Sequence, residues 1–379
     1  MAEVRGTCDE RFSMVRDTLA ANLDAGEDVG ASVAVFLDGE PVVDIWGGYA
    51  DVEGTRPWEE DTVTNVFSTT KTMTFLCALI LADRGELDFH APVARYWPEF
   101  KAEGKEAVEV RHLMGHTAGL SGWSEKLDAE DLADWEKCTS LLANQAPWWT
   151  PGDGSGYHAV TQGYLVGEVV RRICGETLGT FFAREIAGPL GADFHIGTPP
   201  EVDDRIARLI PHEPVDLSLL GPADSIPVRT LTNPQITGET SWHEWWRRAE
   251  IPAANGHGNA RSVAKIQSVL AGSGEARGVR LLSAAGCEPV FEEQANGTDR
   301  VLSAPFRIGM GYGLGSDVVP LGPRACFWGG YGGSLIVNDL DQRLTVCYVM
   351  NRMALDLVGD RRGASILLAT VASLANASS

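Results

Sequence analysis

The stretch Asn65-Val66-Phe67-Ser68-Thr69-Thr70-Lys71, with the apolar run 73–81 behind it, constrains this chain more than any other feature. β-prone residues lead into a serine. The run that follows has the length of a buried helix and is too short to span a membrane. Ser68 then stands at a helix start, where backbone N–H groups are unpaired and the helix dipole is positive. Lys71 falls on the same face, one turn on. A hydroxyl becomes a nucleophile when a base takes its proton, and a desolvated lysine near a helix N-terminus has a lowered pKa. The same residues also read as an ordinary helix N-cap followed by a solvated lysine. The spacing occurs a second time, as Ser262-Val-Ala-Lys265. The helix after Ser68 is apolar almost all round and is expected to be buried. The helix after Ser262 carries one apolar stripe (Val263, Ile266, Val269, Leu270) and is expected to keep a wet face with Lys265 and Gln267. Ser68 is therefore the candidate nucleophile.

At 379 residues the chain exceeds one ordinary core, which predicts two lobes or one large domain with an insertion. The first ten residues contain no apolar segment of a secretion signal, and a cytoplasmic protein is expected. A net charge of −21 argues against nucleic acid and against an anionic membrane surface as partners. The seven cysteines are scattered with no Cys-x-x-Cys pair, and the eight histidines form no metal-ligand pattern. Cys77 and Cys347 lie in apolar runs and read as buried thiols. No metal and no cofactor is expected. The oligomeric state stays open.

Helical spacing over 10–24 precedes two β-rich runs, 31–37 and 41–46, joined by Asp38-Gly39-Glu40, a hairpin signal. From 83 to about 250 the pattern turns helical, rich in Trp, Gly and Pro. The segment 199–250 is the least legible, although Trp242, Trp245 and Trp246 fit a helix. Strand character returns over 310–315, 325–328, 334–337 and 344–350, and a helix closes the chain over 363–374. This order predicts an α/β fold of α+β type: an antiparallel sheet flanked by N- and C-terminal helices, with a mostly helical insertion. The expected domains are a discontinuous sheet domain, 1–82 with 255–379, and a helical domain, 83–254, with the active site between them.

A serine–lysine pair still needs a proton shuttle and an oxyanion hole. Tyr157, delivered by the glycine-rich turn 151–156, is a candidate shuttle; a core tyrosine is the plainer alternative. Trp328-Gly329-Gly330-Tyr331-Gly332-Gly333-Ser334 is a candidate for the oxyanion hole, because glycines inside a strand mark close approach to the backbone. A bulge or a crowded strand–helix contact explains them equally well.

Ser68-Thr-Thr-Lys71, Tyr157 and Trp328-Gly-Gly, in this order, resemble the three motifs of serine β-lactamase-fold enzymes, and most of all the family VIII carboxylesterases related to class C β-lactamases. The resemblance runs over about 10–375 and includes His116-Thr-Ala-Gly-Leu120, the segment 256–283 and Tyr312-Gly-Leu-Gly315. It implies a β-lactamase/penicillin-binding-protein-like fold and no cofactor. It also implies Ser68 as acylated nucleophile, Lys71 as base and Tyr157 as proton shuttle. The backbone N–H groups of Ser68 and Tyr331 would form the oxyanion hole. Trp123 would line the acyl pocket, and His158, Trp328, Gly329 and Gly330 would contact substrate. Two departures point to neutral esters. Ala159 stands where an asparagine would hold an amide, and Trp328 where a lysine would attract a carboxylate. The expected activity is hydrolysis of neutral, short-chain esters through a Ser68 acyl-enzyme. The alternatives are β-lactam or amide hydrolysis or acyl transfer at the same site, and an inactive binding protein of the same fold. No Gly-x-Ser-x-Gly elbow occurs, which weighs against an α/β-hydrolase.

Overall fold

The structure, a computed structural model, describes residues 2–213 and 217–377. Its strands are β1 (Val4–Cys8), β2 (Gly30–Leu37), β3 (Glu40–Gly48), β4 (Thr64–Asn65), β5 (His257–Gly258), β6 (Glu275–Ala276), β7 (Val279–Arg280), β8 (Ala295–Thr298), β9 (Pro305–Ile308), β10 (Gly313–Leu314), β11 (Ala325–Gly329), β12 (Leu335–Asp339) and β13 (Leu344–Met350). Nine of these form one antiparallel sheet in the order β1-β3-β2-β13-β12-β11-β10-β9-β8. The β2–β3 hairpin turns at Asp38 and Gly39, both at positive φ, as the Asp-Gly signal requires. Strands β1, β8 and β9 were not legible in the sequence, because their mostly exposed or half-buried residues carry no apolar alternation.

β13 is buried along its whole length because both faces of the sheet are covered. On one face the helices Ser13–Asp24 and Arg361–Ala377 lie against each other, and the Tyr348 phenol of β13 meets Asp28 while its ring lies under Arg362. On the other face Thr345 reaches Asn338, which reaches Gln267 of the helix Ala260–Ala271. Cys77 and Cys347 are buried free thiols.

The helix Lys71–Asp83 is buried over 71–81, as its composition predicts. It packs against the sheet through Phe75, whose ring meets Trp328 of β11 and Tyr312 edge-on. The helix Ala260–Ala271 departs from the expected wet face. Gln267 is fully buried and bonded to Thr72, Tyr312 and Asn338, and of the two residues expected on that face only Lys265 remains partly exposed. A glutamine with all its polar atoms used inside a core has the same sequence signature as a solvated one. Between β4 and β5 the chain is helical and irregular among the described residues, and β4 pairs with β5 through Thr64↔Gly258 and Asn65↔His257. That pairing carries 253–258 beside the residues that lead into Ser68.

Candidate active site

The nucleophile turn is tighter than an ordinary helix start. Ser68 lies inside a 3-10 turn, Phe67–Thr70, and the α-helix begins at Lys71, so Ser68 is not the N-cap. Phe67 holds φ 42°, a left-handed conformation that a bulky residue adopts only where its surroundings impose it. The first backbone bond of the turn runs from Thr69 N–H to Val66 O, which leaves the Ser68 N–H outside the ladder.

Lys71 is buried with no carboxylate partner. Its Nζ lies 3.1 Å from Ser68 Oγ, 2.6 Å from Ala159 O and 3.0 Å from Ala253 O. Burial pushes its pKa well below the usual lysine value of 10.5. A neutral amine has two N–H bonds and one lone pair. With the two carbonyls accepting the N–H bonds, the lone pair is left for the Ser68 hydroxyl. The Tyr157 phenol donates to Ser68 Oγ at 2.5 Å. Burial raises its pKa above the ordinary value of 10, opposed by the bond to Ser68 and by the nearby Trp328 indole. That indole N–H is close enough to act on the phenol electrostatically, yet it has no partner in proper hydrogen-bond geometry. Tyr157 is anchored through its backbone N–H, which donates to Asp299 Oδ1 at 3.0 Å; the same oxygen accepts from Val301 and Leu302. The Ala159, Ala253 and Asp299 contacts left no trace in the sequence: two are backbone carbonyls, and the third is an isolated aspartate in a loop.

Ser68, Tyr157 and Tyr331 line one cavity of about 310 Å³. Its walls are mainly apolar, with Phe67, Val160, Leu231, Ile236, Leu355 and Leu357 among them. Much of the lining comes from residues between 211 and 239, within the stretch that could not be read; residues 214–216 of that stretch lie outside the described residues. Tyr331 Oη bonds His212 Nε2 at 2.5 Å, and His212 Nδ1 lies 2.6 Å from Glu213 O. The Tyr331 N–H makes no bond within the glycine loop, while its neighbours Gly330, Gly332 and Gly333 all donate.

Five residues expected at the substrate do not line the cavity. Trp123 is a core residue, its indole donating to Cys138 O and its ring edge-on to Tyr164. His158 is fully buried and holds loops together: Nε2 accepts from Leu120 N–H and Nδ1 meets Gly156 O. Burial lowers its pKa to about 4, so it stays neutral. Trp328 stands behind Tyr157, stacked on His116 at 5.4 Å. Gly329 is a glycine because a Cβ would meet the backbone of Val358 and Gly359. Gly330, also outside the lining, abuts the nucleophile turn: its Cβ would stand 2.2 Å from Val66 O. The glycines do mark a close approach, by protein backbone and not by substrate. Ala159 does line the cavity. Among the described residues no group of three or more His, Cys, Asp or Glu side chains could hold a metal ion, and no helix is long and apolar enough to cross a membrane.

The beta-lactamase family model matches residues 15–370. The chain belongs to the beta-lactamase family. It is 35% identical over 368 residues to the esterase/beta-lactamase LipL of Mycobacterium tuberculosis, covering 94% of this chain and 84% of that protein. It is 36% identical over 205 residues to the esterase EstB of Burkholderia gladioli, covering 48% and 52%. Among solved structures it resembles a family VIII carboxylesterase with a TM-score of 0.92 at 39% identity, over 98% of this chain and all of that one. It also resembles a penicillin-binding protein homologue from Caulobacter crescentus, with a TM-score of 0.89 at 36% identity over 98% and 100%. The chain is thus a hydrolase of the β-lactamase fold, similar to family VIII carboxylesterases.

Proposed function

We propose that this protein is a serine carboxylesterase that hydrolyses neutral, short-chain esters through an acyl-enzyme on Ser68. One observation carries the reading: Ser68 Oγ, at the foot of an apolar cavity, is bonded at once to a desolvated lysine amine and to a neutral phenol. Neutral Lys71 takes the Ser68 proton as Oγ attacks the ester carbonyl. The Ser68 and Tyr331 N–H groups receive the oxyanion. Tyr157 gives its proton to the leaving alkoxide and recovers one from the Lys71 ammonium, whose nitrogen lies 4.9 Å from the phenol ring centre. Water then enters and attacks the acyl carbon as neutral Lys71 takes its proton; the proton passes by way of Tyr157 to Ser68 Oγ as the acid leaves, and Ser68 is restored.

The cavity supports the substrate class. Small-molecule sites span roughly 300–1,000 Å³, and this one is at the small end. Among the described residues no lysine or arginine lines it, and the one carboxylate there, Glu239, repels anions. The bonded geometry of Ser68, Lys71 and Tyr157 weighs against an inactive binding protein. β-Lactam hydrolysis is the second reading, favoured by the likeness to a protein described as both esterase and beta-lactamase.

The test is labelling with a serine-reactive fluorophosphonate and peptide mass spectrometry, followed by kcat/KM on nitrophenyl esters of increasing chain length. The expected result is an adduct on Ser68 and a preference for acetate to butyrate. An adduct elsewhere overturns the assignment of Ser68; cephalosporin turnover matching ester turnover replaces esterase by β-lactamase.

A further inference from the structure

We propose that Ser334 is a positioning residue that sets the gap between the two halves of the oxyanion hole; the inference rests on the esterase reading above. The two N–H groups come from segments far apart in sequence, the turn Phe67–Thr70 and the loop after β11. An oxyanion hole works only when both donors reach one oxygen, so something must fix the separation of those segments.

Ser334 reaches both. It is 2% exposed, although it carries a hydroxyl. Its backbone carbonyl accepts from Gly330 N–H at 2.8 Å, and Gly333 N–H returns to Gly330 O at 3.0 Å, which closes the loop around Tyr331. Its Oγ lies 3.0 Å from Val66 O and 2.9 Å from Thr69 Oγ1. A serine hydroxyl has one proton. Donated to Val66 O, it leaves the Ser334 oxygen to accept from Thr69. The two contacts fall on the residues that bracket Phe67 and Ser68. One side chain therefore holds the glycine loop against the nucleophile turn, on both sides of the donor it must match.

Gly330 completes the fit. Its Cα lies so close that a Cβ would stand 2.2 Å from Val66 O and 2.4 Å from Ser334 Oγ. The loop is thus seated against the turn by a glycine contact and latched there by the hydroxyl. Neither residue lines the cavity. Ser334 acts on the substrate only through where it puts the Tyr331 N–H.

The experiment compares Ser334→Ala with wild type on a nitrophenyl ester and on the matched thionoester, whose sulfur is larger and a poorer acceptor. A misplaced donor is expected to lower kcat on the oxyester by roughly ten- to hundred-fold, with KM within about three-fold. The thionoester rate, which draws less from the hole, should fall less. Thr69→Val, which removes the donor to Ser334 Oγ, should give a smaller loss of the same pattern, and it carries the test if Ser334→Ala does not fold. A folded Ser334→Ala with wild-type kcat overturns the inference. So does an equal loss on both substrates, since a general loosening of the site would not discriminate between them. If wild type hydrolyses no ester and takes no fluorophosphonate on Ser68, the esterase reading fails and this inference with it.

Discussion

Ser68 and Ser262 each stand three residues before a lysine, and the fold puts the two copies to opposite uses. Ser262 is a capping residue: its Oγ accepts from Asn259 N–H while its own N–H goes to Asn259 Oδ1. Its lysine turns away, with Lys265 Nζ at 3.0 Å from Gly191 O near the surface. Ser68 does no capping, so its hydroxyl is free to face a cavity, and among the described residues Lys71 Nζ has only two carbonyls and that hydroxyl as hydrogen-bond partners. The spacing places two groups on one face; burial and the remaining partners decide whether they react. Complete burial distinguishes Lys71 from Lys265, whose amine stays near the surface, and it comes from a fold that brings Ala159 and Ala253 to the Lys71 nitrogen.

Serine-to-alanine variants at the two positions break the comparison most sharply. Ser68→Ala is expected to lower kcat by several orders of magnitude, as for other serine nucleophiles. Ser262→Ala should leave kcat within about two-fold and cost about 1 kcal/mol of stability for a lost buried hydrogen bond. Thermal melts together with ester assays check both. A dead Ser262→Ala that melts like wild type contradicts the assignment.

Next come the partners of Ser68. Lys71→Ala and Tyr157→Phe should each lower kcat by at least ~10²-fold. The double variant should lose far less than the product, because both groups serve one proton path through Ser68 Oγ. Multiplicative losses, measured by burst and steady-state kinetics, would assign them separate roles.

The pH profile sharpens the same contrast. The neutral amine is the active form, so kcat/KM should rise with pH through the lowered pKa of Lys71 and then level off. Tyr157, raised above its ordinary value, adds no descending limb below pH 10. Burial holds His116 and His158 neutral, so the acid limb is not theirs. The limb should vanish from the residual activity of Lys71→Ala and persist in Lys265→Met and His212→Gln. A limb that survives in Lys71→Ala would move the base elsewhere.

The sequence was most legible where composition and burial agree. The run 73–81 read as a buried helix and 344–350 as a strand, and the fold has both. The β2–β3 hairpin followed from Asp38-Gly39. Tyr157 reached Ser68 as the motif order implied. What stayed illegible was carried by backbone or by residues with two plausible fates. Trp328 and Trp123 are large aromatics that suit a pocket wall or a core, and the fold put both in the core. His158 is polar, yet its two nitrogens are spent on loops. Much of the cavity lining comes from described residues between 211 and 239, in irregular segments and one short α-helix, Ile226–Thr232, that carry no long apolar period.

With the cavity lined largely by this stretch, the proposed discrimination against anions moves there, and with it the smallest effect expected here. Trp328 stands where a carboxylate-binding lysine would be, but its ring is enclosed by Phe75, His116, Tyr157 and Phe306. Trp328→Lys would bury a charge in that aromatic cluster and damage the fold before it met a substrate. The charge that a substrate does meet is Glu239, on the cavity wall and near enough to Tyr331 to raise its phenol pKa, with burial the larger cause. Glu239→Lys should therefore raise kcat/KM for an anionic ester or a cephalosporin relative to a neutral ester of the same size. The gain should be roughly two- to five-fold, the worth of one exposed charge pair, and should fade with added salt. Glu239→Gln should give about half of that effect on a logarithmic scale. Paired assays at low and high ionic strength check it. A ratio unmoved by either variant would show that apolar walls, and not the sign of the mouth charge, exclude anions from this site.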